Sequence, residues 1–472
     1  MKNRNESLAK NTVIFAVGSF GSKLLQFILV PFYTRAMTDA EFGVTDLLQG
    51  AVSLLLPIFT LTIYESVFRY AMEKETDRKG VFSAGVAVTV AGIGFLAVIA
   101  AALTFFTTIE YVPLVAALTA ANALRTLLSQ YTRAIDRSVL FTVDNLLMTV
   151  AVLILNIVFI AVLKLGVEGY MYGYIGANLF SCVFLRIALG REARVKLSRV
   201  SKQLLKTLLL YSVPLIPNAI CWWLTSYTDR VMITGMVSVG ASGLYAAAHK
   251  VPSLLSVVVT IFFQAWQISA NEEFKKKDIG AFYSEIFRAV SGCVFVISAL
   301  LTLLCRPITF LLVGEEFHPS WVYMPVLILS MTFFSFAQFL GSIYSANKKT
   351  KMAFVTNFIA MLVNAALNYV LISLLGPVGA AAATAFSYLV LWVVRVWDTG
   401  KIVKLSYDLK TLLPASLLLT AEAVLVTLDL NKPLTYAVAG VITLAIVLLH
   451  LKTLLSLAAF ALKLVKKVLK RG

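Results

Sequence analysis

Apolar residues run along this chain in long blocks separated by short polar stretches rich in Lys and Arg. A helix needs about 20 mostly apolar residues to cross a bilayer, and most of the blocks have that length. The pattern predicts fourteen spans, at roughly 11–33, 43–68, 81–105, 111–132, 140–163, 167–189, 207–233, 241–268, 283–305, 321–345, 352–375, 378–397, 411–428 and 433–451. The second and eighth are the most polar. The first follows a polar, basic start, MKNRNESLAKN, and lacks a small-residue cleavage site, so it reads as a span and not a removable leader. No gap is long enough for a soluble domain. The longest, Gly190–Lys206, is basic and lies between spans six and seven. The tail Leu457–Gly472 is basic and amphipathic, a pattern expected to lie on the membrane surface.

Composition agrees. The chain is 60% hydrophobic and 14% charged, with mean hydropathy +0.87, whereas a soluble domain is about half apolar and a quarter charged. A net charge of +17 raises nucleic-acid binding, but the cations sit in clusters between apolar runs. That placement fits orientation signals and anionic lipid head groups, and nucleic acid is excluded as a partner. With the N-terminus in the cytoplasm, the inner segments hold 32 of the 41 Lys and Arg, with Arg395, at the inner end of span twelve, counted among them. The outer segments hold 4, Arg35, Lys164, Arg306 and Lys432, and 5 fall within spans, Lys23, Arg125, Arg230, Lys250 and Arg288. This asymmetry predicts that both termini are cytoplasmic. The four cysteines have no paired spacing and the three histidines are scattered, so neither a disulfide frame nor a metal cluster is expected.

The chain repeats itself. Gly43, Ser53-Leu54-Leu55 and Thr60 return 200 residues on as Gly243, Ser253-Leu254-Leu255 and Thr260. Asn145, Leu155-Asn156, Val158 and Ile160 return at an offset of 212 as Asn357, Leu367-Asn368, Val370 and Ile372. Each copy then reaches a short loop of one form, Leu165-Gly166-Val167-Glu168-Gly169 and Leu375-Gly376-Pro377-Val378-Gly379. Six spans per copy make a parallel repeat. The expected organisation is 1–203 for spans one to six, 204–404 for spans seven to twelve, and 405–472 for two appended spans and the tail.

Span seven, within Tyr211–Met236, carries Pro214 and Pro217 in its first half and Asp229-Arg230 in its second. Proline frees backbone carbonyls and bends the helix, and intramembrane charge marks a functional path by default. Ionisable and amide side chains gather in spans one, two, four, seven and eight, whereas spans three, nine and thirteen are nearly free of charge in their middles. The first group is expected to face a wet interior and the second lipid. Lys23 and Arg125 lie midway along their spans, beyond reach of an interface. They are either cations for an anionic head group or partners of Asp46, Glu65 or Asp144 in pairs that hold helices together. Asp229-Arg230 is a functional pair or a local helix-end pair. His249 beside Lys250 is a proton relay or a packing residue. Asn156 and Asn368 read as bonds between helices. No phosphate-cradling loop, metal-ligand set or nucleophile–base arrangement appears, so the chain is not expected to be an enzyme or to use ATP by itself.

Several segments together resemble a known family. They are Lys10-Asn11-Thr12 with Gly18; Tyr33-Thr34-Arg35-Ala36-Met37-Thr38-Asp39-Ala40-Glu41-Phe42-Gly43; Tyr227-Thr228-Asp229-Arg230-Val231-Met232-Ile233; Gly243-Leu244-Tyr245 with Ala248; and the two Leu-Asn spans followed by Leu-Gly-x-x-Gly. In this order the chain resembles the polysaccharide-transporter branch of the multidrug/oligosaccharidyl-lipid/polysaccharide exporter superfamily, the Wzx-type flippases. The resemblance implies an all-α polytopic membrane protein, with two six-helix lobes in a V, a MATE-like arrangement, and two extra C-terminal helices. It implies alternating access and transfer of a polyprenyl-pyrophosphate-linked oligosaccharide from the inner to the outer leaflet of a bacterial plasma membrane. The implied cavity is cationic, which suits Lys23, Arg125, Arg230 and Lys250. Asp46, Glu65, Asp144, Asp229 and His249 are the candidates for coupling or gating. No cofactor is expected beyond H+ or Na+ as a coupling ion. The expected partners are the lipid-linked oligosaccharide, membrane lipid and the glycan polymerase machinery. Two alternatives share the fold, an ion-coupled multidrug extruder and a peptidoglycan-precursor flippase. The mid-span cations oppose the extruder, which would favour an acidic, aromatic cavity. A membrane glycan polymerase would need a large outer loop, and none is present.

Overall fold

A computed structural model describes residues 27, 29–73, 76–253, 255, 259, 263, 266, 279–347 and 350–469. The described residues are helical and contain no strand. Among the described residues twelve helices are long and apolar enough to cross a membrane, so this is a multi-pass membrane protein. They are span two (Asp39–Phe59), three (Arg78–Phe106), four (Val112–Ala134), five (Ser138–Val162), six (Gly166–Leu189), seven (Lys202–Met236), nine (Ile279–Leu303), ten (Glu315–Tyr344), eleven (Lys351–Leu375), twelve (Pro377–Thr399), thirteen (Leu409–Leu428) and fourteen (Lys432–Leu457). The expected spans one and eight lie only partly within the described residues.

Two expected elements differ in shape. Span two ends at Phe59, and a separate helix, Ile63–Ala71, follows after a left-handed turn at Leu61 and Thr62. Pro57 lies within the last turn of the first piece and supplies no amide hydrogen there. The expected surface tail is a continuation of span fourteen, whose helix runs unbroken over Lys432–Leu469. Span seven is interrupted as its prolines require: an α-helix over Lys202–Ser212, a 3-10 turn at Val213–Leu215, then an α-helix over Ile216–Met236. The breaks in spans two and seven are bonded to each other. Thr62 Oγ1 donates to the Ser212 carbonyl and Ser66 Oγ to the Leu208 carbonyl, both at 2.6 Å.

The chain forms two compact units, Met1–Thr228 and Asp229–Gly472. In the first, Thr38 begins span two with a capping box: its Oγ1 accepts from the Glu41 amide (3.2 Å) and Glu41 Oε2 accepts from the Thr38 amide (2.9 Å). Spans four, five and six pack together. In the second, spans ten, eleven and twelve do the same, and span ten is the most buried of the twelve. Span nine, expected to face lipid, is half buried, because thirteen and fourteen pack against it and its Ser298 is bonded to Thr332 of span ten at 2.7 Å.

The repeat has a physical basis. Gly166 and Gly376 have φ of +52° and +60°, a left-handed region that favours glycine. Gly169 and Gly379 then pass close to the carbonyls of Phe159 and Leu371, leaving no space for a Cβ. The first copy is two residues longer between its Leu-Asn pair and this turn. It accommodates them in a π-helical run, Ile157–Val162, with Lys164 left-handed, while the second copy stays α-helical to Leu375.

Candidate functional site

In the second unit the polar side chains converge on Asp229. Its helix turns Asp229 and Ile233 inward, and Asp229 is 8% exposed. Its Oδ2 accepts from Tyr245 Oη (2.8 Å) and Thr384 Oγ1 (2.6 Å), and its Oδ1 from Asn368 Nδ2 (2.7 Å). These donors come from the helix Val239–Ala248, span twelve and span eleven. Asn368 Nδ2 also reaches Asn364 Oδ1 (3.1 Å), one turn back on the same face, and Asn364 Nδ2 donates to Thr384 Oγ1 (3.0 Å). A buried carboxylate is costly unless hydrogen-bonded, and here three donors meet it. Asn368 Oδ1 is buried without a partner among the described residues. The site therefore gathers a carboxylate, amide oxygens and a hydroxyl, a set that suits a proton or a hard monovalent cation.

In the first unit the polar junction is built on Arg125. Its Nη2 lies 3.1 Å from Asp144 Oδ2 and 2.7 Å from Asn145 Oδ1, and its Nε donates to Ser181 Oγ at 3.0 Å. Ser181 Oγ also donates to Asp144 Oδ1. The Asp144 side chain is fully buried and that of Arg125 is 16% exposed. One guanidinium thus joins spans four, five and six. About three turns further along span five, Asn156 Nδ2 bonds Tyr33 Oη at 2.5 Å, and Gly173 packs so closely on the Asn156 amide that a Cβ would overlap it. Asn156 and Asn368, which the repeat relates, each bond a side chain of another helix, Tyr33 and Asp229, the role read for them in the sequence.

Lys23 lies outside the described residues. Arg125 and Asp144 form one ion pair. Asp46 and Glu65 are half-buried in the first unit, and Arg230 and Lys250 are half-buried in the second. His249 is half-buried with its ring 6.5 Å from that of Tyr245. The carboxylate of Asp229 is held by three other helices, which the local-pair reading does not include.

Two buried charged residues were not legible. Arg395, counted with the inner segments, lies inside span twelve and is 5% exposed. Its guanidinium donates to Thr356 Oγ1 (3.2 Å), the Ala337 carbonyl (2.6 Å) and Asn357 Oδ1 (2.9 Å). Its signal was a lone cation among Val393, Val394 and Val396. Glu422 makes span thirteen a packed helix and not a purely lipid-facing one: it is fully buried and accepts from Thr443 Oγ1 of span fourteen at 2.8 Å.

The model of the polysaccharide biosynthesis protein family matches residues 8–267, and that of the lipid II flippase MurJ matches residues 179–459. No curated protein matches the chain. Among solved structures, the lipid II flippase MurJ in an inward closed conformation superposes with TM-score 0.66 at 14% identity, over 94% of this chain and 100% of that one. A multidrug resistance MATE transporter in an inward-facing conformation gives 0.62 at 11%, over 82% and 94%. A mutant of the Vibrio cholerae MATE transporter VcmN gives 0.57 at 14%, over 84% and 96%. These similarities establish the fold, and each family model covers more than half of the chain. The resemblance read from the motifs holds: the protein belongs to the polysaccharide biosynthesis protein family and to that of the lipid II flippase MurJ.

Proposed function

We propose that this protein carries a polyprenyl-pyrophosphate-linked oligosaccharide from the inner to the outer leaflet of a bacterial plasma membrane by alternating access, with both its termini in the cytoplasm. The observation that carries the reading is the polysaccharide biosynthesis family match across residues 8–267. The physics is simple. A pyrophosphate does not cross hydrocarbon unaided, whereas its polyprenyl tail stays in lipid. The protein has to supply a polar, cationic slot for the head group, for which Lys23, Arg230, Lys250 and the solvent-reached edge of Arg125 are the proposed cations. We assign coupling to H+ or Na+ to Asp229, supported by its three donors and the unpartnered Asn368 Oδ1. Gating falls to Asp46, Glu65, Asp144 and His249. The delivered oligosaccharide would pass to glycan polymerase machinery.

A second reading, a flippase for a peptidoglycan precursor, is favoured by the MurJ match across residues 179–459. Mass spectrometry of polyprenyl-linked lipids in cells depleted of the protein separates the two. Accumulation of a lipid-linked oligosaccharide supports the first reading, and accumulation of the peptidoglycan precursor replaces it with the second. Neither, with new sensitivity to cationic dyes, would overturn both in favour of a drug extruder. Asp229→Asn should remove ion dependence at normal protein level; unchanged ion dependence would remove Asp229 from the mechanism.

A further inference from the structure

The two units build the same three-helix junction around a guanidinium, but they supply it from different helices. At the offset of 212 residues, Thr356 and Asn357 stand where Asp144 and Asn145 stand, and Ala337 stands where Arg125 stands. In the first unit Arg125 reaches from span four to Asn145 on span five and Ser181 on span six. In the second unit Arg395 reaches from span twelve to Asn357 on span eleven and to the Ala337 carbonyl on span ten. That carbonyl belongs to the residue that replaces Arg125. Gly341, one turn further along span ten, makes the room, since a Cβ there would lie 2.8 Å from Arg395 Nη1.

The exchange changes the charge. Asp144, the counter-ion in the first unit, is replaced by Thr356, which accepts from Arg395 Nε at 3.2 Å. Among the described residues no carboxylate lies within 4.0 Å of Arg395. A link to Asp398 runs through Tyr344, whose ring centre is 5.9 Å from the guanidinium carbon and whose hydroxyl donates to Asp398 Oδ2 at 2.8 Å. Arg395 is thus held by geometry and neutral acceptors.

Its place relative to Asp229 gives this a consequence. Spans eleven and twelve are tied at two levels, Asn357 to Arg395 and Asn364 to Thr384. Asn357, Asn364 and Asn368 are seven and eleven residues apart, on one helix face, and Thr384 and Arg395 are eleven apart on the facing helix. The upper level is the one that presents Asn368 and Thr384 to Asp229. We propose that Arg395 is a positioning residue for the Asp229 site. It clamps spans ten, eleven and twelve so that Asn368 and Thr384 are set for the coupling ion, and this inference rests on the assignment of coupling to Asp229.

The test uses the ion alone as probe. The full chain is purified and its thermal stability titrated with NaCl against choline chloride, and separately over pH, for wild type, Asp229→Asn, Arg395→Lys and Arg395→Gln. Arg395→Lys keeps the charge and loses the fork, and is expected to raise the half-saturating ion concentration about 10- to 100-fold, the usual effect of removing an outer-shell partner. A second variant, Arg395→Leu with Ala337→Arg, Thr356→Asp and Leu391→Ser, transplants the first unit's arrangement, Ser181 included, and is expected to restore the wild-type midpoint. A folded Arg395→Lys with an unshifted midpoint, beside an Asp229→Asn that has lost its ion response, would overturn the positioning role alone. An Asp229→Asn that keeps the ion response would overturn the coupling assignment and this inference with it. Should the single Arg395 variants fail to fold, a transplant that folds with the wild-type midpoint supports the role, and one that does not restore it overturns it.

Discussion

Replacing Arg125 with alanine should destabilise the protein by about 3–5 kcal/mol, the usual cost of leaving a buried charge without its partner. The magnitude follows from an asymmetry in the junction. Asp144 is fully buried, and its contacts are Arg125 at 3.1 Å and the Ser181 hydroxyl. Without the guanidinium it keeps only the hydroxyl. Arg125 is better placed to lose Asp144, because it retains Asn145 and Ser181 and its side chain is 16% exposed. Asp144→Asn should therefore cost less, about 1.5–3 kcal/mol. The double variant Arg125→Ala/Asp144→Asn should cost clearly less than the two singles added, with a coupling of about 2 kcal/mol. Unfolding of the purified protein by SDS titration, followed by tryptophan fluorescence, measures all four corners of the cycle. Recovery of cell-surface glycan in depleted cells reports function in parallel. An Arg125→Ala protein as stable as wild type, with a coupling below about 0.6 kcal/mol, the average for polar pairs between membrane helices, would refute the pairing. Arg125 would then be a ligand residue whose value lies in transport alone.

Further outcomes follow from the packing. Gly173→Ala places a Cβ on the Asn156 amide and Gly379→Ala places one on the Leu371 carbonyl; each should cost about 1–3 kcal/mol in the same unfolding assay. Gly376→Ala, at φ +60° and ψ −143° with nothing within 4 Å of its Cβ, should cost only the backbone strain of a conformation that glycine alone adopts readily, about 1–3 kcal/mol. Thr62→Val and Ser66→Ala each delete one bond to a carbonyl of span seven and should each cost about 1 kcal/mol, with faster amide exchange over residues 208–216 in mass spectrometry.

Most of the fold was legible because bilayer thickness imposes its own ruler on the sequence. Among the described residues eleven apolar blocks became spans within about six residues of their predicted limits, whereas span two stops at Phe59 and not at 68. The repeat was legible where backbone geometry demands one residue type, as at Gly166 and Gly376. What escaped reading was the direction in which side chains face. Arg395 and Lys401 are six residues apart and look alike in sequence, yet Arg395 is 5% exposed and Lys401 lies open beside the Trp397 ring. Glu422 was hidden because one carboxyl in an apolar run carries no period, and its partner Thr443 lies on the next helix. Asp229 was visible as a charge, whereas its three donors come from stretches up to 155 residues away.

The bonded breaks in spans two and seven have a genetic consequence. Thr62 and Ser66 hold the carbonyls of Ser212 and Leu208 beside the Val213–Leu215 turn, so neither helix can straighten alone. The two interruptions should therefore bend together, as one joint. Suppressors of a defect caused by replacing Pro214 should therefore arise at residues 60–66 as readily as within span seven, although almost 150 positions separate them along the gene.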